Sequence, residues 1–428
     1  MSLPKRPDVV VVGAGIIGAT TALSIARRGA SVMVVEKEAT SATEQSGRAQ
    51  GAIRVQGREP VELPLAEESL RLWRDLPDPE ALELRFTGNM YICISHQELQ
   101  TADELVTQAH RHGLTRVRRI SADEAREILP AATGIFSGAM WSEEDAQCDP
   151  TLATRYFVAA AERHGAEFQF GLTARSILHK DDAVAGVMVD DRTIKTRTVV
   201  VAAGVWAPYI AASVGLTLPI MPLALSQAET SPANVAVGPT LRAFGFGARQ
   251  RPNGQLSISA GMNTIVDHYG SFASLNLPRT WLPRIARHYK DVRLHIDRAR
   301  LWQEIRLRSA SSGQLVTRSI ERPANTSLMN RSLARLQDVI PALRDVEAVR
   351  YWAGTIDMSP DGLPIIDAEE GPEGLVVISG LCGHGLALGP ALGEIAADLA
   401  LDGKTRRPIA PFALSRFGGP TPIPKKML

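Results

Sequence analysis

Residues 8–36 of the chain have the sequence DVVVVGAGIIGATTALSIARRGASVMVVE. Within this stretch, Val9 to Val12 are β-branched residues directly before a glycine, a pattern typical of a buried parallel strand. Residues 16–28 repeat apolar side chains at helical spacing and stop at Gly29, a residue type that commonly ends helices. Residues 31–36 again have the pattern of a buried strand. The stretch therefore predicts a βαβ unit with parallel strands and a right-handed crossover, and hence an α/β fold.

The turn between the first strand and the helix carries Gly13, Gly15 and Gly18 in the pattern GxGxxG. The first glycine permits the sharp turn, the second lets a pyrophosphate approach bare backbone, and the third lets helix and strand pack closely. Glu36 ends the second strand, where a carboxylate accepts both hydroxyls of an adenosine ribose and repels a 2′-phosphate. Because the required strand and helix are both present, we interpret the turn as a dinucleotide-binding site rather than a chance glycine turn.

The overall composition is that of a soluble globular protein. The chain has 428 residues, 45% of them hydrophobic and 22% charged, and its 47 basic and 46 acidic side chains give a net charge of +1. A chain of this length forms two or three domains of ordinary size. A net charge so close to zero provides no field to attract nucleic acid, so we expect no nucleic-acid partner.

The three cysteines, Cys93, Cys148 and Cys382, lie far apart in the sequence and form no CxxC pair. The sequence therefore predicts neither a disulfide framework nor a thiolate metal site, and it favours a reducing cytoplasm. The N-terminal apolar run is too short for a signal peptide, so no export is expected.

Two segments raise the question of membrane contact. Residues 198–227 contain no charged side chain, but Pro208, Pro219 and Pro222 interrupt them, which favours a strand, a turn and a short core helix over a spanning helix. Residues 279–308 hold nine basic and three acidic side chains. Such a stretch is usually a solvated face and makes at most peripheral contact with a membrane.

The rest of the chain predicts more of the same α/β domain and a second domain. Helices are expected over 101–112, 121–129, 151–164 and 389–401, and strands over 167–171, 184–189, 198–202 and 375–379. From about 216 to 330, short strands alternate with Gly and Pro, as in an antiparallel sheet. We expect an α+β chain overall, with a Rossmann-type dinucleotide-binding domain over 1–88, 146–216 and 336–428. The second domain, a mainly antiparallel substrate-binding domain, covers 89–145 and 217–335.

The dinucleotide is expected to be FAD. A flavoprotein that NAD(P)H reduces usually needs a second dinucleotide fingerprint, and this sequence has one. The substrate itself is therefore the expected reductant. Residues 198–206, TVVVAAGVW, support this assignment, because a strand followed by Ala203 and Gly204 lets the backbone approach a cofactor. The alternative interpretation of these residues is an ordinary core strand.

The chain resembles the D-amino-acid oxidase, glycine oxidase and sarcosine oxidase family of FAD-dependent enzymes over nearly its whole length. Besides the N-terminal fingerprint, the matching segments are SGRAQGAIRVQGREP (46–60), AAGVW (202–206), YWAGTIDMSPDGLPIID (351–367) and SGLCGHGLALGPALGE (379–394). The fingerprint is common to many flavoproteins, whereas the last two segments together are more specific. The MSPDGLPII stretch is most similar to sarcosine oxidase β chains and to opine and hydroxyproline dehydrogenases.

This resemblance implies an isoalloxazine ring beside residues 46–54, with backbone amides of Gly383 and Gly385 at its pyrimidine oxygen. Such amides, at the start of a helix expected near Gly389, stabilise the negative charge of a reduced flavin. The expected FAD contacts lie in the dinucleotide turn, in the loop 46–54, after strand ends and in the C-terminal loop. They are Gly13, Ala14, Gly15, Ile16, Ile17, Gly18, Glu36, Lys37, Ser46, Arg48, Ala49, Gln50, Gly51, Ala174, Ala203, Gly204, Trp206, Gly354, Gly383, His384, Gly385, Leu386 and Ala387.

The candidate catalytic residues are Arg54 and His384, and the candidate substrate contacts are Arg54, Arg58, Tyr269, Trp302 and Tyr351. An arginine can bind a carboxylate bidentately and orient the substrate, although a solvated arginine is the plainer alternative. His384 either holds charge near the ring or is structural. A large aromatic side chain is more often part of a core than of a pocket.

Three positions depart from the family pattern. Ile356 stands where glycine oxidase-like members have an arginine that binds the substrate carboxylate, and Ala387 stands where monomeric sarcosine oxidases have a lysine. Gly354 stands where the latter have their covalent flavin cysteine. The resemblance therefore implies a noncovalent FAD, a carboxylate-binding residue elsewhere in the chain, and a substrate bulkier than glycine or sarcosine.

The sequence and the resemblance together predict an FAD-dependent amine oxidoreductase. A neutral amine of an amino acid or N-substituted amino acid gives hydride to the flavin, the imine hydrolyses to an oxo acid or aldehyde, and the electrons pass to oxygen, a quinone or a partner subunit. Three alternatives stay open. They are an FAD hydroxylase reduced by NAD(P)H, a flavin-binding subunit of a heteromeric dehydrogenase, and a flavin-binding protein without catalysis.

Overall fold

The structure, a computed structural model, describes residues 6–261, 266–270, 278–296 and 321–419. These residues contain nine helices. They are α1 (Ile16–Arg27), α2 (Leu63–Arg74), α3 (His96–Arg111), α4 (Ala122–Ile128), α5 (Pro150–Arg163), α6 (Ala207–Ala211), α7 (Pro278–His288), α8 (Thr326–Val339) and α9 (Gly385–Asp402). Of these, α1 and α2 both pack against α9. The three helices therefore form one unit beside the site described below.

The strands of the same ranges number twenty-one. They are β1 (Val9–Val12), β2 (Val32–Glu36), β3 (Ala52–Ile53), β4 (Asn89–Cys93), β5 (Val117–Ser121), β6 (Gly138–Ser142), β7 (Ala146–Gln147), β8 (Glu167–Phe170), β9 (Ala174–Lys180), β10 (Ala183–Val189), β11 (Arg192–Ile194), β12 (Thr198–Val201), β13 (Met221–Thr230), β14 (Thr240–Ala243), β15 (Phe246–Gln250), β16 (Leu256–Ser259), β17 (Val266–Gly270), β18 (Val292–Ile296), β19 (Ala348–Met358), β20 (Ile365–Asp367) and β21 (Leu375–Ser379).

A six-stranded sheet surrounds the predicted βαβ unit in the order β20–β21–β12–β1–β2–β8. The neighbours are parallel except for β20, which runs antiparallel to β21. Since β1 lies between β2 and β12, the winding of the chain reverses at β1. A crevice for a ligand opens at such a point, outside the carboxyl ends of the strands.

Both faces of this sheet are covered, which explains why its central strands are apolar throughout. Val9 and Val11 pack into a core shared with α1, α5 and α9. Val10 and Val12 point the other way, into a core shared with β9, β10 and α6. The alternation follows from the two-residue repeat of a strand. The structure thus confirms the buried parallel strands expected from the sequence.

The second large sheet has ten strands and is mainly antiparallel, as predicted. Its order is β18–β17–β13–β16–β15–β14–β4–β6–β5, and β19 pairs with β13 along its whole length. Two neighbouring pairs are parallel, β17 with β18 and β4 with β14. Because β4 and β14 run side by side, residues distant in sequence become direct neighbours on one face of this sheet.

The elements differ from the sequence expectations mainly at their ends. The last helix, α9, begins at Gly385 rather than near Gly389, so Pro390 lies inside it. The uncharged residues 198–227 form β12, α6, short 3-10 turns and the start of β13, as expected. No helix in the described ranges has the length and apolar character to cross a membrane.

The strands of the two sheets match the predicted domain ranges only in part. Within the range 336–428, which the sequence assigns to the dinucleotide-binding domain, β19 hydrogen bonds to β13 of the large sheet. Strands β4, β5 and β6, from the range 89–145, also join the large sheet. The domain ranges remain a proposal. They differ most from the strand pairing at β19, which pairs with the sheet of the other predicted domain.

Candidate active site

A cavity of about 950 Å³ extends from the turn after β1 to the large sheet. Its walls include residues that follow β1 and β12, the loop 42–62, the first turn of α9, and side chains of β4, β6 and β14. The cavity is therefore built at the crevice where the winding of the parallel sheet reverses, and the large sheet closes its other side.

The glycine turn has the close backbone packing that a dinucleotide-binding turn requires. Gly13 has a φ of 105°, and a Cβ there would lie 2.6 Å from the carbonyl oxygen of Ala202. A Cβ on Gly18 would lie 1.8 Å from the carbonyl oxygen of Gly13, so helix and turn touch backbone to backbone. Glu36 accepts a hydrogen bond from the amide of Ala14 at 2.7 Å, which places its carboxylate beside the turn. Glu36, the predicted contact of the ribose, therefore lies beside the glycine turn, the predicted contact of the pyrophosphate.

The loop 46–51 forms a second wall and is fixed at both ends. The Ser46 hydroxyl accepts a hydrogen bond from the amide of Ile16 at 2.9 Å, which ties the loop to the start of α1. Arg48 donates from Nη1 to the carbonyl of Ala353 at 3.0 Å, and Gln227 donates to the carbonyl of Arg48 at 2.8 Å. The loop thus joins the dinucleotide turn to β13 and β19.

The first turn of α9 supplies amides to a third wall. Cys382 and Gly383 both have positive φ, 54° and 78°, and turn the chain into the helix. The amides of a first helical turn have no acceptor within the helix. Ser69 and Trp73 of α2 donate to the carbonyl of Ala387 at 2.6 Å and 3.2 Å, which holds this turn in place. The helix start can therefore stabilise an anionic group in the cavity.

Most of the expected FAD contacts line this cavity. The exceptions are Ala14, which bonds to Glu36, and Gly18, which packs against Gly13. The lining residues among them are Gly13, Gly15, Ile16, Ile17, Glu36, Lys37, Ser46, Arg48, Ala49, Gln50, Gly51, Ala174, Ala203, Gly204, Trp206, Gly354, Gly383, His384, Gly385, Leu386 and Ala387.

The expected substrate contacts divide into two groups. Arg54 and Arg58 line the cavity. Tyr269 instead stacks on the ring of His295 with centroids 4.6 Å apart, and the Tyr351 hydroxyl donates to Asn330 at 2.6 Å, so neither reaches the cavity wall. Trp302 lies outside the described residues.

Arg54 and Arg58 belong to a charged cluster at the cavity wall. The Nη1 of Arg54 donates to the carbonyl of Gln56 at 2.6 Å, and the Nε of Arg58 donates to the carbonyl of Arg54 at 2.9 Å. The Nη1 of Arg58 lies 3.6 Å from the carboxylate of Glu62, which is fully buried. Burial, together with neighbouring guanidiniums, lowers the pKa of Arg54.

Glu62 also binds His384. Its Oε1 lies 2.9 Å from Nδ1 of the imidazole. Burial opposes the ionised carboxylate, but His384 and the two arginines outweigh it and lower the pKa of Glu62 to about 2. Glu62 is therefore a carboxylate at neutral pH and Nδ1 carries the proton of this hydrogen bond. Burial lowers the pKa of His384, although Glu62 opposes this, which favours the neutral ring.

The large sheet adds two polar side chains that the sequence analysis missed. Tyr91 of β4 and Arg242 of β14 are direct neighbours across the parallel pair, and both line the cavity. The Tyr91 hydroxyl is buried without a hydrogen-bond partner, and the Arg242 guanidinium has no hydrogen bond or ion pair within the described residues. Burial lowers the pKa of Arg242 to about 10, so it stays charged at neutral pH. The pair can receive a carboxylate.

Asp145 is the second carboxylate of the cluster. It is fully buried and accepts a hydrogen bond from the amide of Val55 at 2.9 Å. Burial raises its pKa to about 6, although Arg54 and the hydrogen bond act in the opposite direction.

Of the residues missed from sequence, only Glu62 had a local signal, its spacing of four from Arg58. For Tyr91, Asp145 and Arg242 we find none.

Comparisons with known proteins agree with this geometry. The model of the family DAO, described as FAD dependent oxidoreductase, matches residues 8–399. A glycine oxidase from Geobacillus kaustophilus is 27% identical, with 97% of this chain and 99% of that protein covered. An N-methyl-L-tryptophan oxidase from Escherichia coli O157:H7 is 24% identical, with 96% and 99% covered. The solved structure of L-amino acid deaminase from Proteus myxofaciens with anthranilate is similar at a TM-score of 0.87 and 25% identity, with 97% and 95% covered.

The family match spans every wall of the cavity, from the glycine turn to the first turn of α9. The dinucleotide that this turn binds is therefore FAD. The chain belongs to the DAO family of FAD-dependent oxidoreductases.

Proposed function

We propose that the protein oxidises the C–N bond of an amino acid or N-substituted amino acid. The observation that carries this proposal is the pair of Tyr91 and Arg242, two neighbouring polar groups at the wall of the cavity that have no partners among the residues the structure describes. A half-buried guanidinium beside a buried hydroxyl that has no partner among the described residues is suited to a carboxylate. The names of the three relatives above all refer to amino acids, which supports the same substrate class.

The charge of the cluster supports a carboxylate as well. Three guanidiniums, those of Arg54, Arg58 and Arg242, influence one another there, and two carboxylates, Glu62 and Asp145, face them. With His384 neutral, the described groups of this cluster leave one positive charge without a counterion. Because an uncompensated charge is costly in a buried site, an anionic substrate group is favoured over a neutral one.

The chain's own residues bind and orient the substrate in this proposal. Bound FAD supplies the two-electron acceptor for the hydrogen of the carbon that bears the nitrogen. Arg242 and Tyr91 hold the carboxylate, and the amides of Gly385 and Leu386 stabilise negative charge at the opposite wall. The resulting imine hydrolyses in water to an oxo acid or aldehyde.

The cofactor is proposed to be noncovalent. Cys382 is the one cysteine of the chain that lines the cavity, and its thiol lies 3.0 Å from the carbonyl of Gly380 and 3.3 Å from the Ser359 hydroxyl. Burial raises the pKa of Cys382 to about 12, so the reactive thiolate is absent at neutral pH. Cys93 and Cys148 are buried away from the cavity.

The electron acceptor is proposed to be oxygen, a quinone or a partner subunit, and the location to be the cytoplasm. All three cysteines are buried and unpaired, which is usual in a reducing compartment. Any membrane contact is expected to be peripheral. Exposed Leu282 and Ile285 on α7, beside basic side chains of the predicted basic stretch, are consistent with such contact.

Anaerobic mixing of the FAD-loaded protein with candidate donors tests the function. We expect bleaching of the visible flavin absorbance by some amino acids or N-methyl amino acids, and no bleaching by the matching amino acid amides or 2-hydroxy acids. Reduction of the flavin by NADPH alone would favour a hydroxylase. An oxidised spectrum with every amino acid of the panel would contradict the proposal.

A further inference from the structure

The contact between Glu62 and His384 leaves one imidazole nitrogen facing open space. The Nδ1 of His384 is 2.9 Å from the Glu62 carboxylate. The ring lines the cavity and is 20% exposed, and its Nε2 has no hydrogen-bond partner among the residues that the structure describes. With the proton on Nδ1, Nε2 presents a lone pair to the cavity.

The position of the ring is held from two sides. His384 is the residue before α9, and its own amide donates to the carbonyl of Leu381 at 2.7 Å. Glu62 lies directly before α2, where it is fully buried and its Oε2 has no partner in the described chain. A carboxylate in this setting selects one tautomer of the imidazole and fixes the direction of Nε2.

We propose that Nε2 of His384 is the proton acceptor for the ammonium group of the substrate, and that Glu62 is the positioning residue that sets its tautomer. This inference rests on the proposed function and adds a catalytic step to it. An amino acid carries a protonated amine at neutral pH, and a protonated amine cannot release hydride from the neighbouring carbon. The site therefore has to remove that proton first.

The proton and electron balance is as follows. The N–H bond of the ammonium breaks and a bond from the proton to Nε2 forms, which gives a neutral amine and an imidazolium. The C–H electron pair then leaves with its hydrogen for the oxidised cofactor, and the nitrogen lone pair forms the C=N bond. Glu62 stabilises the imidazolium until water takes the proton. Arg54 and Arg58, the other charged groups that influence the ring, oppose a long-lived imidazolium.

Stopped-flow reduction of the FAD-loaded protein across a pH series tests the step. We expect the reduction rate to fall as the pH drops through the pKa of His384, because the imidazolium cannot accept a proton. Glu62→Gln removes the anion that stabilises the imidazolium, so this acid limb should move to lower pH. Arg58→Met removes a repelling cation and should move the limb to higher pH. Glu68→Gln is the matched control. Glu68 lies on α2 and pairs with Arg407, which lies beyond the end of α9, so this change should leave the limb unchanged.

His384→Asn should reduce the rate at neutral pH by about 100-fold or more, the usual range for a positioned base. The deficit should shrink as the pH approaches the pKa of the substrate amine, since the amine then arrives deprotonated. A purely structural role would instead give a deficit that is constant with pH. An acid limb that stays in place in both Glu62→Gln and His384→Asn would overturn the proposal.

Nitrogen NMR of the protein labelled at histidine gives a readout that needs no substrate. We expect the His384 signals of a neutral ring with the proton on Nδ1, identified by their loss in His384→Asn. The opposite tautomer, or an imidazolium at neutral pH, would overturn the role of Nε2 even if amino acids reduce the flavin. Failure of every amino acid to reduce the flavin, with the expected tautomer present, would instead contradict the proposed function.

Discussion

In the proposed function, Arg242 is the residue on which substrate recognition depends most directly. Its guanidinium is charged, lines the cavity and has no partner of its own in the described chain. Arg54 differs, because carbonyls of Gln56 and Gly57 already accept its hydrogen bonds. Arg54 therefore contributes positive potential, whereas Arg242 has donors available for a new contact.

Replacing Arg242 with methionine should lower kcat/KM for the amino acid substrate by about 10- to 100-fold, the value of a hydrogen-bonded charge contact of about 1.5–3 kcal/mol. Most of the change should be in KM, and flavin content should stay at the wild-type level. Arg350→Met, at an exposed arginine of the same sheet, is the control and should leave kcat/KM unchanged. An unaltered kcat/KM in Arg242→Met would place the carboxylate contact elsewhere.

Glu62 should also affect stability in a pH-dependent way. Its pKa is about 2 in the folded protein and 4.5 is the ordinary value, so the ionised group contributes stability above about pH 4.5. That contribution is lost as the pH falls from about 4.5 to about 2. The free energy of unfolding of Glu62→Gln should therefore lie below that of the wild type at pH 7, and the gap should narrow in acid.

Urea unfolding monitored at pH 7, 5 and 4 measures this gap. Glu68→Gln serves as the control, because a partly exposed ion pair is worth about 1 kcal/mol or less. A gap for Glu62→Gln that widens as the pH falls would contradict the sign.

At the scale of elements, the contact between α1 and α9 couples the two ends of the chain. A Cβ on Gly393 would lie 2.6 Å from the carbonyl carbon and the Cβ of Thr20, and the Thr20 hydroxyl donates to the carbonyl of Gly389 at 2.9 Å. The helices therefore touch backbone to backbone. Since α1 follows the dinucleotide turn and α9 follows the His384 loop, their packing sets the distance between these two walls of the cavity.

Gly393→Ala should lower the unfolding free energy by about 1–3 kcal/mol, because the added methyl group forces the two backbones apart. It should also lower the fraction of protein that retains FAD. Thermal unfolding and the flavin absorbance of the purified protein measure both effects. Gly238→Ala is the control, since the Cβ position there is open space. Equal melting temperatures for the two variants would show that the helix contact tolerates a methyl group.

At the scale of the whole molecule, the cavity makes stability depend on FAD. Both large sheets contribute to its walls, and several polar atoms around it, including the Tyr91 hydroxyl, are buried without a partner in the described part of the chain. Protein stripped of FAD should melt at a lower temperature. Added FAD should raise the melting temperature progressively. At an FAD concentration of one hundred times Kd, binding adds about 2.7 kcal/mol to the free energy of unfolding. A melting temperature that does not respond to FAD would contradict this. If FAD is bound noncovalently, as proposed, acid precipitation of the protein should release the flavin into solution.

Much of the fold was predictable because its signals are local. The βαβ unit, its glycine turn and Glu36 were predicted from residues 8–36, and the structure places them together. The antiparallel character of the second sheet was also predicted. The start of α9 was not: the sequence predicted a helix from Gly389, whereas the structure begins it at Gly385 and has Pro390 inside it. The pairing of β19 with the large sheet left no mark in its own sequence.

The site was predictable only where family motifs or chain spacing marked it. Arg54, Arg58 and His384 were selected on such grounds and line the cavity, whereas Tyr269 and Tyr351, selected as large aromatics, do not. Trp302 lies outside the described residues and stays a prediction.

The amino-acid sequence by itself determined where strands and helices form and which turns need glycine. The spacing of apolar residues and the conformational freedom of glycine both depend only on neighbours in the chain. Only the tertiary structure decided which charges meet. Tyr91 stands beside Arg242 because β4 pairs with β14, and Glu62 reaches His384 because α2 packs on α9. The pKa of each group, and whether it has a partner, depend on these neighbours, because Coulomb and desolvation energies depend on position in space.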